Sequence, residues 1–203
     1  MEYISNVLFW IANGLMVPVI VGLLYFFIRS VLMLGAFFNL YLQYSKQSKT
    51  RLKKNPDSIT KENINDFVAE MDSFPQSHFT FALKSLIGAK TNAVINRILA
   101  EYEVKADSEL GKYKILTKFG PILGLMGTLI PMGPALAGLA TGDVASMAYN
   151  MQIAFATTVI GLFAGAIGYI LLQVRQRWFV AELSILEFIA DICGNSDERH
   201  STL

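Results

Sequence analysis

Charge is scarce in this chain. Only 16% of its 203 residues are Asp, Glu, Lys or Arg, against roughly 25% in ordinary soluble domains. The formal net charge is +1, so no basic surplus points to nucleic acid. Cysteine is nearly absent as well. The single Cys193 excludes a disulfide within the chain, and a free thiol near a polar end fits a reducing compartment. Catalytic signatures are missing too: there is no HExxH, CxxC or GxSxG, and no phosphate loop ending in Gly-Lys-Ser/Thr. Gly120, Gly124 and Gly127 lack the strand and the basic residue of a phosphate site and read as packing glycines. His78 has no partner at ligand spacing and reads as a surface or structural residue. No enzyme activity, cofactor or metal is expected.

The chain is instead rich in long uncharged stretches. A helix that crosses a bilayer needs about 20 apolar residues, because each adds about 1.5 Å across a core about 30 Å thick. Residues 7–28, 119–140 and 144–174 each run that far without a charge. The first stretch resumes after Arg29 and continues to residue 42. Runs this long disfavour three core helices of a soluble protein. Residues 1–6 carry no Lys or Arg, and no A-x-A-like site follows, so the first run is expected to be a retained helix and not a signal peptide.

Lys and Arg are segregated. With three spans, residues 1–6 and the short loop 141–146 share one side, and neither holds a Lys or Arg. All 17 lie on the other side or at its membrane boundary, where Arg29 and Lys118 stand. Positive residues favour the cytoplasm. The expected class is therefore an all-α membrane protein with three transmembrane helices and long cytoplasmic helical extensions. The N-terminus lies outside and the C-terminus inside. The expected parts are an outer N-terminus (1–6), a first span with its extension (7–42), a cytoplasmic helical segment (43–114), a second span (115–140), an outer loop (141–146), a third span (147–174) and a cytoplasmic helix and tail (175–203).

The cytoplasmic segment opens on Lys46, Lys49, Arg51, Lys53 and Lys54. Few aromatics interleave with them, so they read as a solvated face beside anionic headgroups. Pro56-Asp57-Ser58 signals a turn, with Ser58 and Thr60 as candidate helix caps. Phe79, Leu83, Leu86 and Ile87 recur at helical spacing, as do Val94, Ile95, Ile98, Leu99 and Tyr102. So do Phe179, Leu183, Leu186, Ile189 and Ala190 in the last part. These are amphipathic faces that pack on each other or on neighbouring subunits. The final residues read as a frayed end.

Small residues dominate the second and third spans. Gly120 and Gly124 are four apart, as are Gly161 and Gly165, a spacing that lets helix backbones approach in lipid. Thr128 continues the face of Gly120 and Gly124. Thr158 shares a face with Ala154, Gly161 and Gly165, and Thr157 sits beside it. A membrane threonine commonly bonds a carbonyl of its own helix. Two hydroxyl-bearing helices with small neighbours also suit a narrow polar seam, with Thr128, Thr158 and Thr157 as the candidates to line an ion pathway. Tyr149, Asn150 and Gln152 lie near the outer end of the third span, and Tyr149 and Gln152 are candidates for its polar mouth. Neither uncharged run, 119–140 or 144–174, holds an Asp, Glu, Lys, Arg or His. A proton relay in hydrocarbon generally needs one, so a partner must supply it if this chain moves protons. Pro18, Pro131 and Pro134 each remove a backbone donor and are expected to bend their helices.

Gly124-Leu125-Met126-Gly127-Thr128-Leu129 resembles the G-L-x-G-T-V block of the ExbB/TolQ/MotA proton-channel family. Ala156-Thr157-Thr158-Val159-Ile160-Gly161-Leu162-Phe163-Ala164 resembles that family's A-T-A-I-G-L-F-A block. Three spans with an outer N-terminus are more similar to the ExbB/TolQ branch than to the four-span MotA branch. The resemblance implies a ring-shaped homopentamer in the inner membrane around a dimer of a single-span partner like ExbD, TolR or MotB. That partner would carry the membrane aspartate. The family's pore threonines correspond to Thr128 and Thr158. Where relatives often carry a glutamate, five residues before the second of these, this chain has Ile153. The implied function is a stator subunit that couples inward proton or sodium flow to movement of the partner. The competing expectation is a non-conducting membrane scaffold.

Overall fold

The computed structural model describes residues 2–53, 78–89 and 91–194. Lys54, the turn expected at Pro56-Asp57-Ser58, the candidate caps Ser58 and Thr60, and the tail beyond residue 194 lie outside the described residues. So do the side chains of Lys46, Lys49, Arg51 and Lys53.

Four helices account for nearly all of the described residues, and no strand occurs among them. They are α1 (Glu2–Lys53), α2 (His78–Ile87), α3 (Asn92–Thr141) and α4 (Val144–Gly194). Three contain stretches long and apolar enough to cross a membrane: Asn6–Leu42, Asn92–Thr141 and Val144–Cys193. The sequence suggested a boundary near residue 114, where charge gives way to apolar residues. The helix does not break there, because its i to i−4 bonds are made by the backbone and are indifferent to side-chain polarity. The expected loop 141–146 contracts to Gly142 and Asp143. Gly142 takes the positive φ of 76° that a helix C-terminus favours. Asp143 then caps α4, with the Ser146 N–H donating to its Oδ1 at 3.0 Å.

The chain divides into two compact units. The first combines Met1–Leu40 with Lys112–Leu172. Here α3 and α4 run antiparallel with their backbones in contact at glycines. A Cβ added at Gly161 would stand 2.6 Å from the Gly120 carbonyl oxygen and 2.7 Å from the Gly124 Cα. One at Gly120 would stand 2.9 Å from the Gly165 nitrogen. Helix α1 lies antiparallel to α3. Its Phe9 reaches Gly133, its Gly22 faces Leu123, and its Phe26 stacks on Phe119 with ring centroids 6.1 Å apart. Phe27 meets Phe163 of α4. Ser30, fully buried on α1, donates to the Phe27 carbonyl at 2.7 Å. Despite this packing, Ile122, Leu125, Leu129, Met132, Leu136 and Leu139 are all exposed on one stripe of α3. Such a stripe suits lipid or a neighbouring helix, not water.

The second unit combines Tyr41–Gly111 with Gln173–Leu203. Phe79, Leu83 and Leu86 of α2 bury against Ile95 and Tyr102 of α3 and Leu186, Ile189 and Ala190 of α4. Val94, grouped with these by spacing, is exposed, because one residue turns about 100° away from Ile95. Inside the packing the Tyr102 hydroxyl donates to Glu182 Oε2 at 2.7 Å. Arg175 donates to Glu109 Oε2 at 2.6 Å and lies 4.9 Å over the Phe179 ring. The other oxygen of Glu109 stands 3.1 Å from His78 Nε2, which gives that histidine a structural place at the start of α2.

Candidate functional site

The seam between α3 and α4 has two flanks. Gly127 and Thr157 form one: a Cβ at Gly127 would strike Thr157 Cβ at 2.6 Å and Oγ1 at 2.7 Å. Pro121 and Gly165 form the other, with a Cβ at Gly165 standing 2.7 Å from the proline ring. The first flank is the one α1 covers. Leu123 and Phe119 of α3, which meet α1, turn to the same side of Gly124 as Gly127 does. The opposite flank is left open by α1. Thr157 is accordingly only 6% exposed. Its hydroxyl is shared between the Ile153 and Ala154 carbonyls at 3.1 and 2.9 Å.

Thr128 and Thr158 belong to the open flank. Thr128 is seven residues after Pro121, and Thr158 is seven before Gly165. Seven residues make about two turns, so each threonine faces the same way as its member of the contacting pair. Because the helices are antiparallel, the two steps go the same way along the seam and bring both threonines to one level. Both are half-buried. Each hydroxyl gives its proton to its own helix: Thr128 to the Leu125 carbonyl at 2.7 Å, and Thr158 to the Ala154 carbonyl at 3.3 Å. What remains toward the open flank is acceptor lone pairs. These sites attract hydrogen-bond donors and cations.

The open flank, two level threonines and a glycine-packed helix pair all lie within residues 68–187, the part of the chain that matches the family model of the MotA/TolQ/ExbB proton channel family. The matched part is more than half of the chain. The chain belongs to the MotA/TolQ/ExbB proton channel family. With three helices long and apolar enough to cross a bilayer, this proton-channel family member is a multi-pass membrane protein. No curated protein and no solved structure matches the chain.

The other residues singled out from the sequence of this family member fall into separate places. Gly120, Gly124, Gly127, Gly161 and Gly165 come together in the α3–α4 contact. Tyr149 does not join Thr158. Nine residues separate them, which puts Tyr149 on the opposite side of α4, where it is exposed. Gln152 is also exposed and about a third of a turn from the Thr158 face. The residue that shares that face toward the α3–α4 turn is Met151, seven before Thr158. Thr117, outside the uncharged run and so not singled out, packs against Gly168. A Cβ at Gly168 would stand 3.0 Å from its Oγ1. Its signal in the sequence is a position four residues before Pro121 and three turns before Thr128.

Proposed function

We propose that the chain is the ion-conducting stator subunit of a membrane motor driven by the proton or sodium motive force. It belongs in this reading to the three-span ExbB/TolQ branch. It sits in the inner membrane with its N-terminus outside and its C-terminus in the cytoplasm. Five copies form a ring around two copies of a single-span partner whose membrane aspartate titrates. The observation that carries the reading is the pairing of Thr128 and Thr158 at one level on the flank that α1 leaves open. That flank offers acceptors to an incoming cation and is free to face a second chain. Thr157, expected from the sequence to line the pathway with them, is buried on the flank that α1 covers and in this reading serves packing instead.

The mechanism follows from the cost of charge in hydrocarbon. An ionised carboxylate there is unfavourable by several kcal/mol, of order 3 on insertion scales. An ion that arrives along Thr128 and Thr158 neutralises the partner's aspartate. The partner then steps relative to the ring and releases the ion inward. A membrane potential contributes about 2.3 kcal/mol per charge per 100 mV. Tyr149 and Gln152, exposed on other faces of α4 than Thr158, are kept in this reading only as candidates for the outer mouth.

Native mass spectrometry of the detergent-extracted complex tests the assembly. The expected result is five copies of this chain with two of a single-span protein that carries a membrane Asp. A monomer or dimer, or a ring that never takes up such a partner, leaves the path without its carboxylate and favours the scaffold.

A further inference from the structure

Arg29 is a charge inside an apolar helix. It lies within the span Asn6–Leu42, and residues 7–28 before it and 30–45 after it are all uncharged. A cationic side chain in a membrane helix ordinarily reaches out toward the headgroups. Arg29 does the reverse. Its Nη1 donates at 2.6 Å to the hydroxyl of Tyr25, four residues back toward the middle of the span. That hydroxyl still has its own proton to give. Lys118 is the other cation at this depth, exposed on α3 beside the uncharged run 119–140. Among the described residues, no carboxylate pairs with Arg29 or Lys118.

The packing of α1 on α3 brings these groups to one place. Phe26 stacks on Phe119, and Gly22 faces Leu123. With the two helices antiparallel, Lys118 is level with residue 27 of α1, only about 3 Å along the pair from Arg29. Each residue turns about 100° around its helix. Tyr25, Arg29 and Lys118 therefore all lie on one side of the α1–α3 contact. That side is opposite α4, which meets α1 at Phe27 and α3 at Gly120. The buried Leu23 and Ser30 of α1 turn to the α4 side. Toward the α3–α4 turn, the side that bears the charges continues as exposed Val21 on α1 and Ile122 and Leu129 on α3. The arrangement is three hydrogen-bond donors, two of them cationic, at one end of an apolar groove.

We propose that this groove holds the headgroup and an acyl chain of a phospholipid with net negative charge. The phosphate accepts from Arg29, Lys118 and Tyr25, and the acyl chain lies along Val21, Ile122 and Leu129. A zwitterionic lipid would bring a third cation to the site with its phosphate, so net negative charge is favoured. The spans of a second copy of this chain cannot supply the anion. Residues 3–56, 110–142 and 144–181 contain no Asp or Glu. Glu109 is nine residues from Lys118, about 14 Å along α3, and Asp143 lies at the far end of the span. In a copy with the same orientation, no span brings an acid to the depth of Arg29. The lipid site does not depend on whether the chain conducts ions.

Native mass spectrometry of the full-length protein, delipidated in detergent and titrated with phosphatidylglycerol or phosphatidylcholine, tests this. Expected is about one phosphatidylglycerol per chain, bound at least tenfold more tightly than phosphatidylcholine. Arg29→Gln with Lys118→Gln is expected to reduce that preference to less than twofold. Arg97→Gln with Arg177→Gln removes two charges from the second unit and is expected to leave the preference within twofold of the unaltered protein. If the first pair is not recovered from the membrane, Lys118→Gln alone is measured, since Lys118 is exposed, and at least a threefold fall is expected. Equal affinity for the two lipids overturns the proposal. So does a preference that survives loss of the charges at 29 and 118, or one that falls as far when Arg97 and Arg177 are replaced.

Discussion

Replacing Thr128 and Thr158 together with valine is expected to lower ion uptake by the complex at least a hundredfold while leaving it assembled. Valine keeps the branched shape. The hydroxyl bonds it removes run only to the helix's own carbonyls, at Leu125 and Ala154. Such local bonds are worth little to the fold, of order 1 kcal/mol or less each. What disappears is the pair of acceptors on the open flank. Thr157→Val is the matched control. It carries the same change one residue from Thr158, but on the flank covered by α1, and uptake is expected to fall less than threefold. Uptake assays on both variants in proteoliposomes check this. A scaffold with no ion path would show no difference among the three proteins.

The second large effect is on assembly. Gly161→Val is expected to abolish recovery of a folded complex. Its Cβ would meet the Gly120 carbonyl oxygen at 2.6 Å and the Gly124 Cα at 2.7 Å. Both are backbone atoms of a facing helix and cannot swing aside as a side chain would. The helices must separate, and close backbone approach is what holds such pairs in lipid, where no hydrophobic force draws helices together. Overpacking of this kind costs typically 1–3 kcal/mol in soluble cores and more where backbone must move. Gly35→Ala is the control. Nothing stands within 4 Å of a Cβ there, so size-exclusion profiles and yield are expected to match the unaltered protein.

Much of this was legible in the residues. Runs of 20 or more without charge set the three apolar helices, since only burial in lipid or protein makes such runs useful. The small-residue spacing at 120, 124, 161 and 165 announced the close contact. Other features were hidden for identifiable reasons. Thr157 and Thr158 are neighbours in one motif, yet about 100° apart on the helix. Only the position of α1, held by Leu123 and the Phe26–Phe119 stack, distinguishes the covered flank from the open one. Tyr149 and Gln152 lie near the right end of α4 but on other faces, which proximity in sequence does not reveal. The composition break near residue 114 marks where a polar segment gives way to an apolar one, and α3 runs through it unbroken from Asn92 to Thr141.

Ion conduction is tested by uptake into vesicles that carry the unaltered complex. The chain and its single-span partner are reconstituted together, a membrane potential, negative inside, is imposed, and internal pH and sodium are followed. Inward flow of one of the two ions is expected, needing both proteins and stopping when the partner's membrane aspartate is changed to asparagine. Uptake no faster than in protein-free vesicles would contradict it and leave the helices as a scaffold.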